Sequence, residues 1–191
     1  MIRIAILASG SGSNAENITT YFSENKHVII DCIVSNKPDA YVHRRAKSLG
    51  VASFTFPKED FADGEKVADF LRDRRINFIV LAGFLLKIPQ KLLADYPNRI
   101  VNIHPALLPK YGGKGMYGDR VHQAVVEAGE TESGVTIHYV NENYDEGSII
   151  FQAKCELTPD DTPEDVARKV HALEYEYFPK VIERLLSANN S

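Results

Sequence analysis

The sequence predicts an α/β fold, with a mostly parallel twisted sheet, helices on both faces and an antiparallel strand pair near the C-terminal half. Short apolar runs alternate with helical segments through the first hundred residues, as in successive βαβ units. The run Phe78–Leu81 is apolar at every position, which is typical of a strand buried on both faces. A parallel sheet is therefore expected to form the centre of the fold.

The first half is expected to alternate strands and helices without interruption. Its strands are predicted over Met1–Ala8, Val28–Val34, Ala52–Thr55 and Phe78–Leu81, and its helices over Ala15–Ser23, Ala40–Leu49 and Asp63–Arg74. The next strand begins at Ile100 and should stop at His104, because Pro105 disfavours its continuation.

The second half is expected to add a helix, two strands and a long last helix. The predicted bounds are Val121–Ala128 for the helix, and Gly134–Val140 and Ser148–Lys154 for the strands. The last helix begins at Thr162-Pro163, a cap followed by proline, and runs to about Leu186. Its apolar face is predicted to carry Val166, Val170, Leu173, Tyr177, Val181 and Leu185.

Length and composition limit the class of protein. A chain of 191 residues fits one domain, residues 1–191. The formal net charge of -4, with acidic and basic residues mixed, disfavours a nucleic-acid partner. No apolar run approaches the ~20 residues that a membrane span needs. Cys32 and Cys155 lie in strand-like runs, as buried thiols do in a reducing compartment, so a cytoplasmic location is expected.

A glycine-rich loop, Ser9–Asn14, follows the first strand and precedes a helix. Glycines allow the backbone to approach a ligand, and free N–H groups at a helix start suit an anion, so the loop is a candidate phosphate site. The spacing Gly10-x-Gly12-x-x-Ala15 also matches a loose dinucleotide fingerprint, but the second strand lacks an acid at its end. A simple tight turn is the third alternative.

The end of the strand at Ile100 is the strongest candidate for chemistry. Asn102 and His104 share one face of this strand, and ligands of open α/β sheets bind beyond the carboxyl ends of the strands. A structural histidine remains the alternative. The apolar segment Leu85–Ile88 follows the neighbouring strand, where it can form either a pocket wall or ordinary core.

Two further features of the sequence concern an acidic residue and the histidines. Asp145 lies in an Asp-x-Gly sequence between two predicted strands, which is ordinary turn chemistry. The histidines have no zinc-ligand spacing, so a metal site is not expected.

Taken together, these motifs resemble the folate-dependent phosphoribosylglycinamide formyltransferases, and the resemblance runs from Ile4 to Leu185. Its most specific part is Asn102-x-His104-Pro105-x-Leu-Leu-Pro, followed some forty residues later by Asp145 in a hairpin loop. The resemblance implies a Rossmann-like formyltransferase fold, 10-formyltetrahydrofolate as cosubstrate and glycinamide ribonucleotide as formyl acceptor, without a metal.

The resemblance also implies roles for individual residues. Asn102, His104 and Asp145 would be catalytic, Gly12, Ser13 and Asn14 would hold the ribotide phosphate, and Glu174 would reach the substrate from the last helix. The folate pocket would be lined by Leu85, Leu86, Lys87, Ile88, Asn102, Asn141, Glu142, Asn143, Tyr144 and Asp145.

Related activities remain as alternatives at this point. A 10-formyltetrahydrofolate deformylase and a methionyl-tRNA formyltransferase share the three catalytic residues, but they usually carry further domains. A non-catalytic phosphosugar-binding module would keep the glycine-rich loop without needing Asn102, His104 and Asp145 together. Asp145, in a hairpin loop, is expected to stay solvated and ionised, and its charge is expected to outweigh burial and raise the pKa of His104.

Overall fold

The computed structural model describes residues 1–188. These residues form two compact units. The first unit comprises Met1–Asn102 with Val140–Glu142, and the second comprises Ile103–Tyr139 and the chain from Asn143 onward. The single domain expected from the length stays a prediction.

The first unit is built on parallel strands. These are β1 (Ile2–Leu7), β2 (Val28–Ser35), β3 (Ala52–Thr55), β4 (Phe78–Leu81) and the first three residues of β5 (Ile100–His104). Parallel ladders join β1 to β2 and β4, β2 to β3, and β4 to β5. Every residue of β4 is buried, as its uniformly apolar sequence predicts.

Five helices connect these strands: α1 (Ser13–Tyr21), α2 (Val42–Leu49), α3 (Asp60–Asp63), α4 (Glu65–Asp73) and α5 (Gln90–Asp95). The predicted helix Asp63–Arg74 was wrong at its start, because Gly64 separates α3 from α4 with a left-handed φ of 80°. A Cβ at Gly64 would lie 2.4 Å from Cγ of Pro89, so a side chain is excluded there.

The second unit pairs two antiparallel strands with two helices. Its elements are α6 (Asp119–Glu127), β6 (Glu132–Tyr139), β7 (Ile149–Glu156) and α7 (Pro163–Ala188). Gly134 in β6 accommodates the partner strand, because a Cβ there would lie 1.9 Å from the carbonyl oxygen of Ala153. The predicted antiparallel pair is confirmed.

The seven strands follow the order β3-β2-β1-β4-β5-β6-β7. The predicted α/β class, with a mostly parallel sheet, is therefore confirmed. Of the helices described within residues 1–188, none is both long and apolar enough to cross a membrane.

A buried aspartate ties two strands and a helix end together in the first unit. Asp31 on β2 is 5% exposed at its side chain and forms ion pairs with Arg3 of β1 and with Nε of Arg74, the latter at 2.6 Å. Replacing Asp31 by Asn removes the charge that compensates both guanidinium groups. The free energy of unfolding is expected to fall by about 1–3 kcal/mol, since each arginine keeps partial access to water.

Urea denaturation of the wild type and of Asp31→Asn measures this effect. Asp69→Asn is the matched control, because Asp69 makes an exposed ion pair with Arg72 one helical turn away. The control is expected to change the free energy of unfolding by less than about 0.5 kcal/mol. Equal losses in the two variants would contradict the structural role of Asp31.

Candidate active site

Strand β5 ends at His104, where the chain turns into Pro105. Asn102 is half-buried and belongs to the first unit, whereas His104 is buried and belongs to the second. The two residues are separated by one position of the same strand, so their side chains leave it on the same face. The predicted end of this strand at His104 is confirmed.

Both ring nitrogens of His104 face polar atoms of the second unit. Nε2 lies 2.7 Å from the carbonyl oxygen of Tyr111, and Nδ1 lies 3.5 Å from Oδ1 of Asp145. A carbonyl can only accept a hydrogen bond, so Nε2 carries the hydrogen and Nδ1 of the neutral ring presents its lone pair to Asp145. The structure thus brings together two of the three predicted catalytic residues.

Asp145 lies in the loop between β6 and β7, with a left-handed φ of 57°. Its Oδ2 accepts a 3.0 Å hydrogen bond from the backbone N–H of Gly113, and Oδ1 lies 3.7 Å from Nε2 of His138. Asparagine and aspartate tolerate this backbone conformation better than other non-glycine residues. The backbone conformation of this turn therefore also places the Asp145 carboxylate beside the rings of His104 and His138.

Burial dominates the protonation of this pair. The pKa of His104 is lowered by desolvation, and the charge of Asp145 and the Tyr111 carbonyl only partly oppose that effect. The expectation of a raised pKa was wrong, because the ring is 3% exposed and the Asp145 side chain is only 11% exposed. Burial would raise the pKa of Asp145, but His138, the charge of His104 and the Gly113 N–H together hold it below its ordinary value.

The segment after β5 is fixed by hydrogen bonds from the buried Thr136 and from Gln152. Oγ1 of Thr136 donates to the Ala106 carbonyl at 2.7 Å and accepts the Leu108 N–H at 3.0 Å. The amide of Gln152 donates to the Leu108 carbonyl at 3.0 Å. These bonds fix the backbone immediately beyond His104 and therefore the position at which its ring is presented.

Gly112 allows the next loop to pass close to the carboxylate. A Cβ on Gly112 would lie 2.4 Å from Cδ2 of Leu108 and 3.3 Å from Cβ of Asp145. Tyr111, just before it, has a φ of 56°, and its hydroxyl donates to Glu130 at 2.7 Å. The Tyr111–Gly113 backbone is therefore held against both His104 and Asp145.

Glu174 lies on the buried face of α7 and is only 4% exposed. Its Oε2 lies 3.2 Å from Nδ1 of His171, and its charge favours the protonated forms of His104 and His122. The predicted apolar face of this helix was partly wrong. Val166, Val170 and Val181 are buried as predicted, but Leu173, Tyr177 and Leu185 are only half-buried. The buried face also includes Glu174, Phe178, Ile182 and Leu186.

The glycine-rich loop and the apolar segment Leu85–Ile88 meet in the first unit. Oγ of Ser9 accepts the Leu85 N–H at 3.0 Å and donates to Oδ1 of Asn36 at 2.6 Å. Gly12 precedes α1 with a φ of 76°, and a Cβ there would lie 2.3 Å from Cγ2 of Val42. Ser13 and Asn14 begin α1 and are half-buried, so this helix starts two residues before its predicted start at Ala15.

The remaining predicted folate-pocket residues are divided between core and surface. Ile88 belongs to the hydrophobic core of the first unit, and Leu86 packs against that core from a half-buried position. Leu85 is also half-buried, and Lys87 is exposed. Asn141 and Glu142 belong to the first unit, and Asn143 and Tyr144 to the second. Their predicted contacts with folate stay predictions.

Sequence reasoning missed His138 as a member of this cluster. This histidine is buried on β6 and faces Asp145. Thr136 and His138 are polar residues that alternate with the apolar Val135 and Ile137, and this alternation was the available signal. As for a metal, no group of three His, Cys, Asp or Glu side chains within residues 1–188 is arranged to hold one.

Comparisons with known proteins point to one family. A sequence model of the family described as formyl transferase matches residues 2–182. A chloroplastic phosphoribosylglycinamide formyltransferase of Arabidopsis thaliana is 41% identical over 94% of this chain, which spans 64% of that plant protein. The phosphoribosylglycinamide formyltransferase of Haemophilus influenzae is 37% identical, over 96% of this chain and 86% of its own length.

A solved structure is also similar to this chain in fold and in sequence. The crystal structure of glycinamide ribonucleotide transformylase 1 from Geobacillus kaustophilus superposes with a TM-score of 0.88 at 34% identity. The match covers 97% of this chain and 99% of that one.

The charge of Asp145 gives a testable effect on the titration of His104. Because the carboxylate opposes the desolvation that lowers the pKa of His104, Asp145→Asn should lower that pKa further. NMR titration of the His104 ring in both proteins measures the change. Asp160→Asn, at an exposed aspartate, is the control and should leave the titration unchanged. An unchanged or raised pKa in Asp145→Asn would mean that Asp145 acts on the loop and not on the imidazole.

Proposed function

This chain belongs to the formyl transferase family, and on that basis we propose that it transfers the formyl group of 10-formyltetrahydrofolate to the amino group of glycinamide ribonucleotide. The products would be formylglycinamide ribonucleotide and tetrahydrofolate, a step of purine synthesis. The observation that carries the proposal is a buried His104 held between a backbone carbonyl and the Asp145 carboxylate at the end of β5.

The reaction moves one formyl group and one proton. The amine nitrogen attacks the formyl carbon, and the carbonyl electrons move to oxygen, which becomes an oxyanion. Collapse of this intermediate breaks the bond to N10 of the folate. The amine gives up one proton and N10 gains one, so the transfer needs donors for the oxyanion and a route for that proton.

Three side chains can supply these needs. The Asn102 amide would donate to the oxyanion, and the Nε2–H of His104 would donate to it in place of the Tyr111 carbonyl that now accepts that bond. Asp145, ionised because its pKa is lowered, would orient the ring and stabilise the imidazolium whenever the ring takes up the moving proton.

The binding assignments follow the family resemblance. Gly12, Ser13 and Asn14 would bind the ribotide phosphate at the start of α1, because the N–H groups of a first helical turn point towards such an anion. Glu174 would contact the ribotide from α7. Leu85–Ile88, Asn102 and the 141–145 loop would form the folate pocket.

The setting of the enzyme is part of the same proposal. We place it in the cytoplasm, as a single domain acting on small molecules without a nucleic-acid partner or a metal. The free thiols of Cys32 and Cys155 fit a reducing compartment, and the net charge of -4 suits small substrates better than a polynucleotide.

The decisive assay is formyl transfer itself. Purified protein with glycinamide ribonucleotide and 10-formyltetrahydrofolate should give formylated ribotide and tetrahydrofolate in equal amounts. Release of formate without formylated ribotide would favour the hydrolase alternative. Binding of ribotide with neither product would favour a non-catalytic phosphosugar-binding protein.

Removal of either member of the buried pair should abolish most of the transfer. His104→Ala and Asp145→Asn are each expected to lower kcat by about 10²–10³-fold with little change in KM, because both act on charge that develops in the transition state. Steady-state kinetics checks this, with His27→Ala at an exposed site as the control. The double variant should be little worse than either single variant, whereas losses that multiply would indicate separate roles.

The phosphate assignment predicts a selective binding defect. Ser13→Ala should raise KM for the ribotide and leave KM for the folate unchanged, since Ser13 would donate to the phosphate only. Gly12 is unsuitable for this test because any side chain would collide with Val42. Thr20→Ala, on the exposed side of α1, is the matched control. A rise in KM for the folate would instead place the folate at this loop.

A further inference from the structure

Two buried imidazoles approach the same carboxylate oxygen in the second unit. Oδ1 of Asp145 lies 3.5 Å from Nδ1 of His104 and 3.7 Å from Nε2 of His138. The other carboxylate oxygen, Oδ2, accepts the backbone N–H of Gly113. Oδ1 of Asp145 is therefore a charged neighbour common to both imidazoles.

The opposite nitrogen of each ring is fixed by a backbone carbonyl. Nε2 of His104 donates to the Tyr111 carbonyl at 2.7 Å, and Nδ1 of His138 donates to the Tyr139 carbonyl at 2.8 Å. Each neutral ring consequently turns a lone pair towards Oδ1 of Asp145. A proton added to either ring converts this repulsion into a charge-assisted attraction.

We propose that His138 is a positioning residue for the transfer reaction: it competes with His104 for the Asp145 carboxylate and so determines how readily His104 holds a proton. The proposal rests on the proposed function for its catalytic meaning. Its physical basis is the shared oxygen together with the two fixed ring orientations.

One carboxylate in a buried site supports one imidazolium better than two. After the first ring is protonated, its charge repels a proton on the second, and little water is present to screen the repulsion. The charge of His138 accordingly opposes protonation of His104, while Asp145 and Glu174 favour it. His122 also faces this group electrostatically and, when charged, adds to the repulsion.

Packing gives His138 little freedom to leave this arrangement. The ring is buried, and a Cβ on Gly147 would lie 1.6 Å from the Tyr139 carbonyl oxygen and 3.4 Å from Nδ1 of His138. The chain passing at Gly147 thus closes one side of the ring. A ring that only filled space would act on the pKa of His104 through desolvation alone, and that effect would not depend on the charge of Asp145, so the two roles can be distinguished by measurement.

The first variant is His138→Asn, which is designed to keep one contact and remove the other. The Asn amide can replace Nδ1–H as the donor to the Tyr139 carbonyl, but it places no titratable group beside Asp145. The second variant, His138→Gln, places a neutral amide near the former Nε2 position. Both remove the competing charge, so the result does not depend on one variant folding well.

NMR titration of His104 is the primary measurement. Both variants should shift the pKa of His104 upward from its wild-type value, because the carboxylate then serves one ring alone. His27→Asn, at an exposed histidine, should leave it unchanged. In an Asp145→Asn background the shift caused by His138→Asn should shrink, since there is no carboxylate to release. An unchanged or lowered pKa in both variants of the wild-type background would overturn the proposal.

The kinetic measurement separates this proposal from the proposed function. The pH dependence of kcat/KM has a step at the pH where His104 changes its protonation state. In His138→Asn this limb of the profile should move to higher pH, with KM for the ribotide unchanged. A uniform loss of rate with no movement of the limb would assign His138 a structural role and overturn the proposal. Absence of formyl transfer in the wild type would refute the function, while the NMR titration would still decide whether the carboxylate is shared.

Discussion

The arrangement of the second unit depends on the compensation of one buried carboxylate. An ionised aspartate removed from water is stable only with hydrogen bonds and positive partners around it. Asp145 receives a hydrogen bond from the Gly113 N–H, and two imidazoles approach its other oxygen, where either ring supplies a positive charge once it takes up a proton. The close approach of the loop at Gly112, the end of β5 and the side chain of His138 all serve this one group.

The same burial reconciles a lowered pKa of His104 with the catalytic role that we propose for the ring. A neutral imidazole retains one N–H, on Nε2, and in a site with little water its hydrogen bond is stronger than the same bond in solvent. The ionised Asp145 then matters most at the moment when positive charge appears on the ring. The His104 ring is therefore neutral before the proposed reaction, and it can take up a proton beside the ionised Asp145 during that reaction.

Sequence patterns predicted two strands with the ends that the structure shows. Phe78–Leu81 is apolar and buried at every position, so its run admits one assignment. Ala52–Thr55 has its predicted ends as well, although its residues are half-buried or exposed. The break at Gly64 was missed, since it depends on contact with Pro89, which lies 25 positions further along the chain. The short helix Gln90–Asp95 was missed as well, having too few residues to show a helical period.

The contact between His104 and Asp145 was predictable from the sequence, whereas the electrostatics of the two residues was not. His104 and Asp145 could be paired from the family motif, but the exposure of Asp145 could not, because a turn sequence describes the backbone and says nothing of what packs over it. Glu174 shows the same limit: a period of 3.6 places it beside Val170 and Phe178, yet its charge argued against the buried face. In both cases an acid lies in the interior beside histidines: Asp145 beside His104, and Glu174 beside His171, one helical turn away. The deviations from the hydrophobic pattern thus coincide with the candidate active site.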